Sequence, residues 1–338
     1  MDKLFHNINT HRDLSPSTFK NYVRSLNKIS AHCECVGSEF IGQWEKVLNH
    51  ITDAPTKKPY KLNILNCYIV AMDSFIKEEL EEFGSLSSNV EVGLRKCRKF
   101  QADLKQELDI NKFSELKNEK ENKNWVSFEE LEKSIGLNFK ALKDILKRTN
   151  LDHKAIHQVQ KWVISALYAS GKENPPMRLD FNNMIIINQK EYDKLDDPSK
   201  NYLVIKSLRT KHFVLNEYKT FKKYGTKTIK LGVNLNKTIN KYMKIRADHF
   251  IKTDLLLFNN KYEPLSESLL SGYVGEAFAH TNKKINANLI RHIFITDIAL
   301  HCSLAERNEI AKKMLHNLEQ QLCYNKKGSS DDESESNN

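Results

Sequence analysis

The sequence is poor in the residues from which several kinds of site are built. Eleven glycines in 338 residues leave little material for phosphate-cradling loops, and neither a GxGxxG nor a Walker A pattern occurs. No HExxH pair and no DxD cluster is present, so metal-driven hydrolysis lacks its converging ligands. No run reaches the roughly 18 apolar residues of a spanning helix, and the first fourteen residues lack the apolar core of a signal peptide. The six cysteines (Cys33, Cys35, Cys67, Cys97, Cys302, Cys323) show neither a disulfide framework nor a CxxC pair. His32-Cys33-Glu34-Cys35 has no second ligand pair at zinc spacing. Reduced thiols in an intracellular compartment are the expectation, with no metal or cofactor.

What is abundant is positive charge. The chain carries 53 Lys and Arg against 43 Asp and Glu, a net +10. Four of those acids (Asp331, Asp332, Glu333, Glu335) fall in the last eleven residues, which hold no base. The first 327 residues therefore carry 53 basic against 39 acidic side chains, a net +14. Such a body suits a polyanion, most often nucleic acid; taken alone it also fits solubility charge on a Lys- and Asn-rich protein.

The hydrophobic pattern predicts two domains. Ser15-Pro16 is a helix start, and Phe19, Tyr22, Val23, Leu26 and Ile29 recur at helical spacing. Further helices are expected around 38–51, 60–83 and 87–107, giving a helical domain over 10–110. Residues 111–124 are polar and aperiodic and read as a linker. A second domain over 125–327 begins with helices near 127–149 and 153–170. Short β-branched runs follow at 184–188, 202–205, 213–215 and 228–231. Helical patterns return at about 234–249, 266–279, 287–301 and 304–315. The fold class is thus mainly α with a small antiparallel sheet, ending in an acidic, disordered tail at 328–338.

One constellation stands out near the end. Arg291 sits in the first turns of an apolar helix among Leu289, Ile290, Ile293 and Phe294, where an unpaired guanidinium costs several kcal/mol on the order of a broken buried ion pair. It should therefore meet an anion. Ser303-Leu304-Ala305-Glu306 is a capping box opening a helix that ends at Met314-Leu315-His316-Asn317, and Tyr324 follows eight residues after His316. Each residue alone has a plainer reading: Tyr324 as a surface aromatic, His316 as a helix end facing the dipole, Arg178 as a salt-bridge partner, Lys219 as one of several lysines in a basic stretch.

Together, Arg291-His292, the Met314–Asn317 turn and Tyr324 resemble the C-terminal signature of the tyrosine recombinase (phage-type integrase) family. The resemblance extends upstream to Arg178, after Asn174-Pro175-Pro176-Met177, and to Lys219 within Glu217-Tyr218-Lys219-Thr220, in the family order. It covers roughly 125–327, and the helical domain is similar in length and placement to the family's core-binding domain. The family usually has His or Lys three residues before the second arginine, where this chain has Asn288. Asn288 can donate a hydrogen bond to phosphate but cannot exchange a proton near neutral pH.

The resemblance implies a site-specific recombinase that cuts and rejoins double-stranded DNA through a 3′-phosphotyrosyl intermediate on Tyr324, without metal or ATP. Arg178, Arg291, His316 and Asn288 would hold the phosphate, and Lys219 would protonate the leaving 5′ oxygen. It further implies both domains on the duplex, a homotetramer on paired sites, and an origin in a mobile element or virus. Relaxing or end-resolving enzymes share the chemistry, and a non-catalytic DNA-binding relic would explain Asn288.

Overall fold

The computed structural model of the chain describes residues 2–12, 14–35, 37–84, 87–112 (backbone only at 110–112), 116–196, 198–316, 321 and 323–326. The acidic tail at 328–338 and Asn317 lie outside these. The chain divides into two compact units, 1–113 and 114–338.

The first unit is helical: α1 Asp2–Arg12, α2 Pro16–Cys33, α3 Trp44–Asp53, α4 Lys58–Phe83 and α5 Ser88–Lys112. Ser15 caps α2 by accepting from the Thr18 N–H, with Pro16 at the first helical position, where its missing N–H costs nothing. Leu26, Ile29, Phe40, Val47, Ile51, Leu65 and Met72 fill the core. Tyr68 is buried there too, and its hydroxyl donates to the Phe40 and Ile41 carbonyls. The sequence pattern gives no helix before residue 15. The α1 segment forms because Leu4 and Ile8, four residues apart on one face, bury themselves, while Lys3 and Arg12 pair with Glu82 and Asp73 of α4.

The second unit contains α6 Glu119–Asn124, α7 Phe128–Ala141, α8 His153–Ala169, β1 Ile185–Asn188, α9 Gln189–Tyr192, β2 Tyr202–Ile205, β3 Lys211–Leu215, α10 Phe221–Tyr224 and β4 Lys227–Lys230. It closes with α11 Val233–Asp248, α12 Glu267–Ala277, α13 Ala287–His301 and α14 Leu304–Lys313. Its core is built on α8 (Val159, Trp162, Val163, Leu167, Tyr168) and α13 (Leu289, Ile290, Ile293, Phe294, Ile298). The four strands lie in the order β1-β2-β3-β4.

Three expectations need correction. The sheet is mixed: β2, β3 and β4 are antiparallel, but β1 runs parallel to β2 with Ile185 opposite Tyr202. Its connection, residues 189–201, carries α9 and returns the chain to the starting end of the sheet, which is what a parallel pair requires. Part of the supposed linker is ordered helix, because Asn118 and Glu121 form a capping box that opens α6. The helix expected over 127–149 stops at Ala141; beyond it the backbone closes tighter turns, with Lys143 N–H on the Lys140 carbonyl and Arg148 N–H on that of Ile145.

Candidate active site

Arg178 lies in the irregular segment between α8 and β1. The segment is held from several sides. The Tyr168 hydroxyl donates to the Arg178 carbonyl at 2.6 Å, Met177 and Phe181 are buried in the core, and Asn201 donates to the Asp180 carbonyl at 3.0 Å. Upstream, Asn174 Oδ1 accepts from the Gly232 N–H at 2.7 Å and Glu173 Oε2 from the Val233 N–H at 2.9 Å. Two side chains thus satisfy donors at the start of α11, which otherwise lack partners.

Arg291 is 1% exposed, as its place on the apolar helix α13 requires. It binds the carbonyls of two other segments: Nη1 donates to Pro176 at 2.7 Å and Nη2 to Met314 at 3.5 Å. Nε has no hydrogen-bond partner among the described residues. Burial pulls its pKa down, the Tyr324 hydroxyl opposes that by charge and hydrogen bonding, Arg178 pulls it down further, and Asp180 raises it. Asp180, two residues after Arg178, is the carboxylate whose charge acts on the guanidinium, without a direct ion pair among the described residues. Its own pKa is raised by burial, against the attraction of Arg178 and Arg291, and one carboxylate oxygen makes no hydrogen bond among the described residues.

His316 is placed by the end of α14. Ser303 and Glu306 cap the start of that helix reciprocally. At its end the His316 N–H returns to the Ala311 carbonyl and the Leu315 N–H to that of Lys312, with Leu315 at φ +60°. This is a Schellman-type stop. Thr220, in the β3–β4 connection, donates its hydroxyl to the Leu315 carbonyl at 3.3 Å, so that connection lies against the histidine turn.

Tyr324 is 9% exposed. Its ring stacks on His316 (centroids 5.7 Å apart, 19° between planes), meets His292 at 4.6 Å and 55°, and has the Arg291 Cζ 5.3 Å from its centroid. The segment is anchored on both sides. The Tyr324 N–H donates to the Gln321 carbonyl, the buried Gln321 side chain donates to the Arg307 carbonyl, and the Lys326 N–H donates to the Thr296 hydroxyl at 3.0 Å.

Of the six residues singled out in the sequence, four therefore converge. Arg291, His316 and Tyr324 touch directly or share carbonyls, and Arg178 is electrostatically coupled to Arg291 through space. Lys219 and Asn288 are exposed. Lys219 precedes Thr220 at the rim of the histidine turn. Asn288 lines a cleft of about 810 Å³ with Lys120, Lys123, Lys283 and Lys284, beside the start of α13. The sequence reading took His292 only as part of the Arg291-His292 pair and gave no role to Asp180, Glu121 or Gln321. For Glu121 a signal existed, the Asn118-x-x-Glu121 cap signature; for Asp180 it was proximity to Arg178.

No protein-family model matches the sequence, and no curated protein matches it. Among solved structures, the fold is similar to that of XerA recombinase (TM-score 0.40, 11% identity, 99% of this chain and 96% of that one). It is also similar to the XerH site-specific recombinase bound to difH substrate in a pre-cleavage complex (TM-score 0.40, 13% identity, 95% of this chain and 91% of that one).

Proposed function

We propose that this chain is a site-specific DNA recombinase that breaks and rejoins a phosphodiester through Tyr324. The observation that carries this reading is the packing of one tyrosine against both a histidine ring and a buried guanidinium, with a second arginine and a carboxylate acting on that guanidinium by charge. A surface aromatic has no need of such neighbours.

In the proposed reaction the Tyr324 hydroxyl gives up its proton to His316 or water, its oxygen attacks phosphorus, the bond to the 5′ oxygen breaks, and a 3′-phosphotyrosyl ester forms. The departing 5′ oxygen takes a proton, for which Lys219 is the candidate donor. Attack by a 5′ hydroxyl on the ester reverses the step, regenerating tyrosine without an external energy source. Arg178 and Arg291 suit the charged transition state because a guanidinium stays protonated and donates along two directions. Aimed donors of this kind are worth roughly 3–4 kcal/mol each in comparable oxyanion sites. His316, stacked on the Tyr324 ring, adds a further donor. The net +14 of the first 327 residues suits a long contact with duplex DNA, with a homotetramer on paired sites as the working assembly and a mobile element or virus as the source.

The test is covalent capture. Nicked duplexes with a randomised centre are incubated with the protein, stopped with SDS and sequenced from the protein-linked fraction. The expected result is an SDS-stable adduct lost in Tyr324→Phe; no adduct from the wild type on any sequence overturns the reading. Relaxation of a supercoiled plasmid carrying a single captured site, without recombination between two, would instead mark a relaxing enzyme.

A further inference from the structure

Tyr324 has a wall that the phosphate chemistry does not use. His292, next to Arg291 on α13, presents its ring to Tyr324 at 4.6 Å. Behind it, His292 Nδ1 lies 3.4 Å from Glu121 Oε1, and both side chains are only 13% exposed. At that distance the carboxylate rests against the edge of the ring, while Nδ1 makes no hydrogen bond among the described residues. Glu121 is itself pinned: its other oxygen accepts from the Asn118 N–H at 2.9 Å, and the Asn118 side chain returns bonds to the Lys120 and Glu121 N–H groups. The α6 turn is then tied to the start of α13. Lys283 donates to the Lys123 carbonyl at 3.0 Å, and the Lys284 N–H to Asn124 Oδ1 at 2.8 Å.

We propose that Glu121 and His292 are positioning residues for Tyr324, a carboxylate-backed ring that fixes how far the tyrosine reaches toward the phosphate. This rests on the reading of Tyr324 as the nucleophile. A tyrosine at the end of a short segment following α14 can pivot about its own χ angles. Stacking on His316 restrains the ring at one contact; the tilted His292 ring adds a second and closer one. The groups facing the imidazole are Glu121 from α6, Arg291 from its own helix, and Tyr324 and Lys326 from the terminal segment. Two of these are cations and burial is deep, so the ring stays neutral and acts as a wedge held by Glu121. A histidine of this kind neither takes the tyrosine proton nor touches phosphate. It acts through the geometry of another side chain.

Single-turnover cleavage of a captured nicked duplex by the full chain tests the pair. His292→Ala and Glu121→Ala are expected to slow adduct formation at saturating DNA by on the order of 10- to 100-fold, the scale set by sub-ångström to ångström misplacement of a reacting group. The DNA concentration giving half the maximal rate should be unchanged. Glu121→Gln, which keeps the shape and the cap acceptor, should restore most of the rate even if His292→Ala fails to fold. Wild-type adduct formation with unchanged rates in both alanine variants overturns the pair and leaves Tyr324 standing. So does a parallel loss of rate and DNA affinity, which marks general scaffolding. No adduct from the wild type overturns the nucleophile assignment itself, and the pair with it.

Discussion

The Arg291 guanidinium reaches across 115 positions of sequence to the Pro176 carbonyl at 2.7 Å while lying 5.3 Å from the centre of the Tyr324 ring. One buried side chain thus joins the segment of the first arginine, the turn of the histidine and the tyrosine. Its removal should be felt both in stability and in chemistry. Arg291→Met leaves the Pro176 and Met314 carbonyls without their donor, at roughly 1–3 kcal/mol in chemical denaturation. Arg291→Lys keeps the charge but loses the fork, and adduct formation should fall by about 10² to 10³.

Tyr324→Phe should abolish the adduct and spare the fold. The ring contacts with His292, His316 and Arg291 survive the loss of one oxygen, so melting should change little. Binding to the same duplex, followed by fluorescence anisotropy, should match the wild type. A variant that also lost DNA binding would place Tyr324 in recognition instead.

Acid should weaken the fold through His292. Burial, followed by Lys326 and Arg291 and opposed by Glu121, brings its pKa down to about 4 from an ordinary 6.5. The unfolded chain then binds the extra proton between pH 6.5 and 4, so stability is intact above 6.5 and declines as pH falls toward 4. The total is about 3 kcal/mol at 1.36 kcal/mol per pH unit. Urea midpoints across that window should be flatter in His292→Asn than in the wild type.

Asp180 acts with the opposite sign. Its carboxyl is raised by burial, so its contribution is present at low pH and lost as pH rises through the folded pKa. Asp180→Asn removes that dependence while keeping shape. Near neutral pH, where burial disfavours the ionised carboxylate, the variant should be as stable as the wild type or more so, and its relative stability should fall as the pH is lowered. Thermal melts at two pH values check it; an equal difference from the wild type at both would remove Asp180 from this role.

DNA affinity should fall log-linearly with salt, by about 0.9 log units per log unit of salt for each phosphate neutralised. Lys283→Ala and Lys284→Ala, in the cleft beside Asn288, should each lower that slope by roughly one phosphate. An unchanged slope would place the duplex away from this cleft.

Much of the candidate site's clustering could be anticipated from residue order, because a buried arginine, a helix-stopping histidine and a late tyrosine each leave local marks. The four short strands were legible from their β-branched runs at 184–188, 202–205, 213–215 and 228–231. The direction of β1 was not, since it depends on how residues 189–201 return, and no pattern in those polar residues encodes that path. Glu121 was hidden differently. In a stretch dense with Lys and Glu its carboxylate resembles its neighbours, and only the fold shows that it faces inward to His292. Asp180 likewise gains meaning only once burial removes the water around it.

The stop of α14 has one more consequence. Leu315 adopts a left-handed conformation that costs a side-chain-bearing residue roughly 1–2 kcal/mol, yet its side chain is buried, which offsets that cost by a comparable 1.5–3 kcal/mol. The helix therefore ends at a fixed register, and the bearing of His316 is counted in residues from Ser303. Inserting a single alanine in the middle of α14 would turn everything after it by about 100° and advance it by about 1.5 Å. The His316 turn would then swing away from Arg291 and Thr220, which precede the insertion, leaving a protein with every candidate side chain present and the two halves of the site out of register.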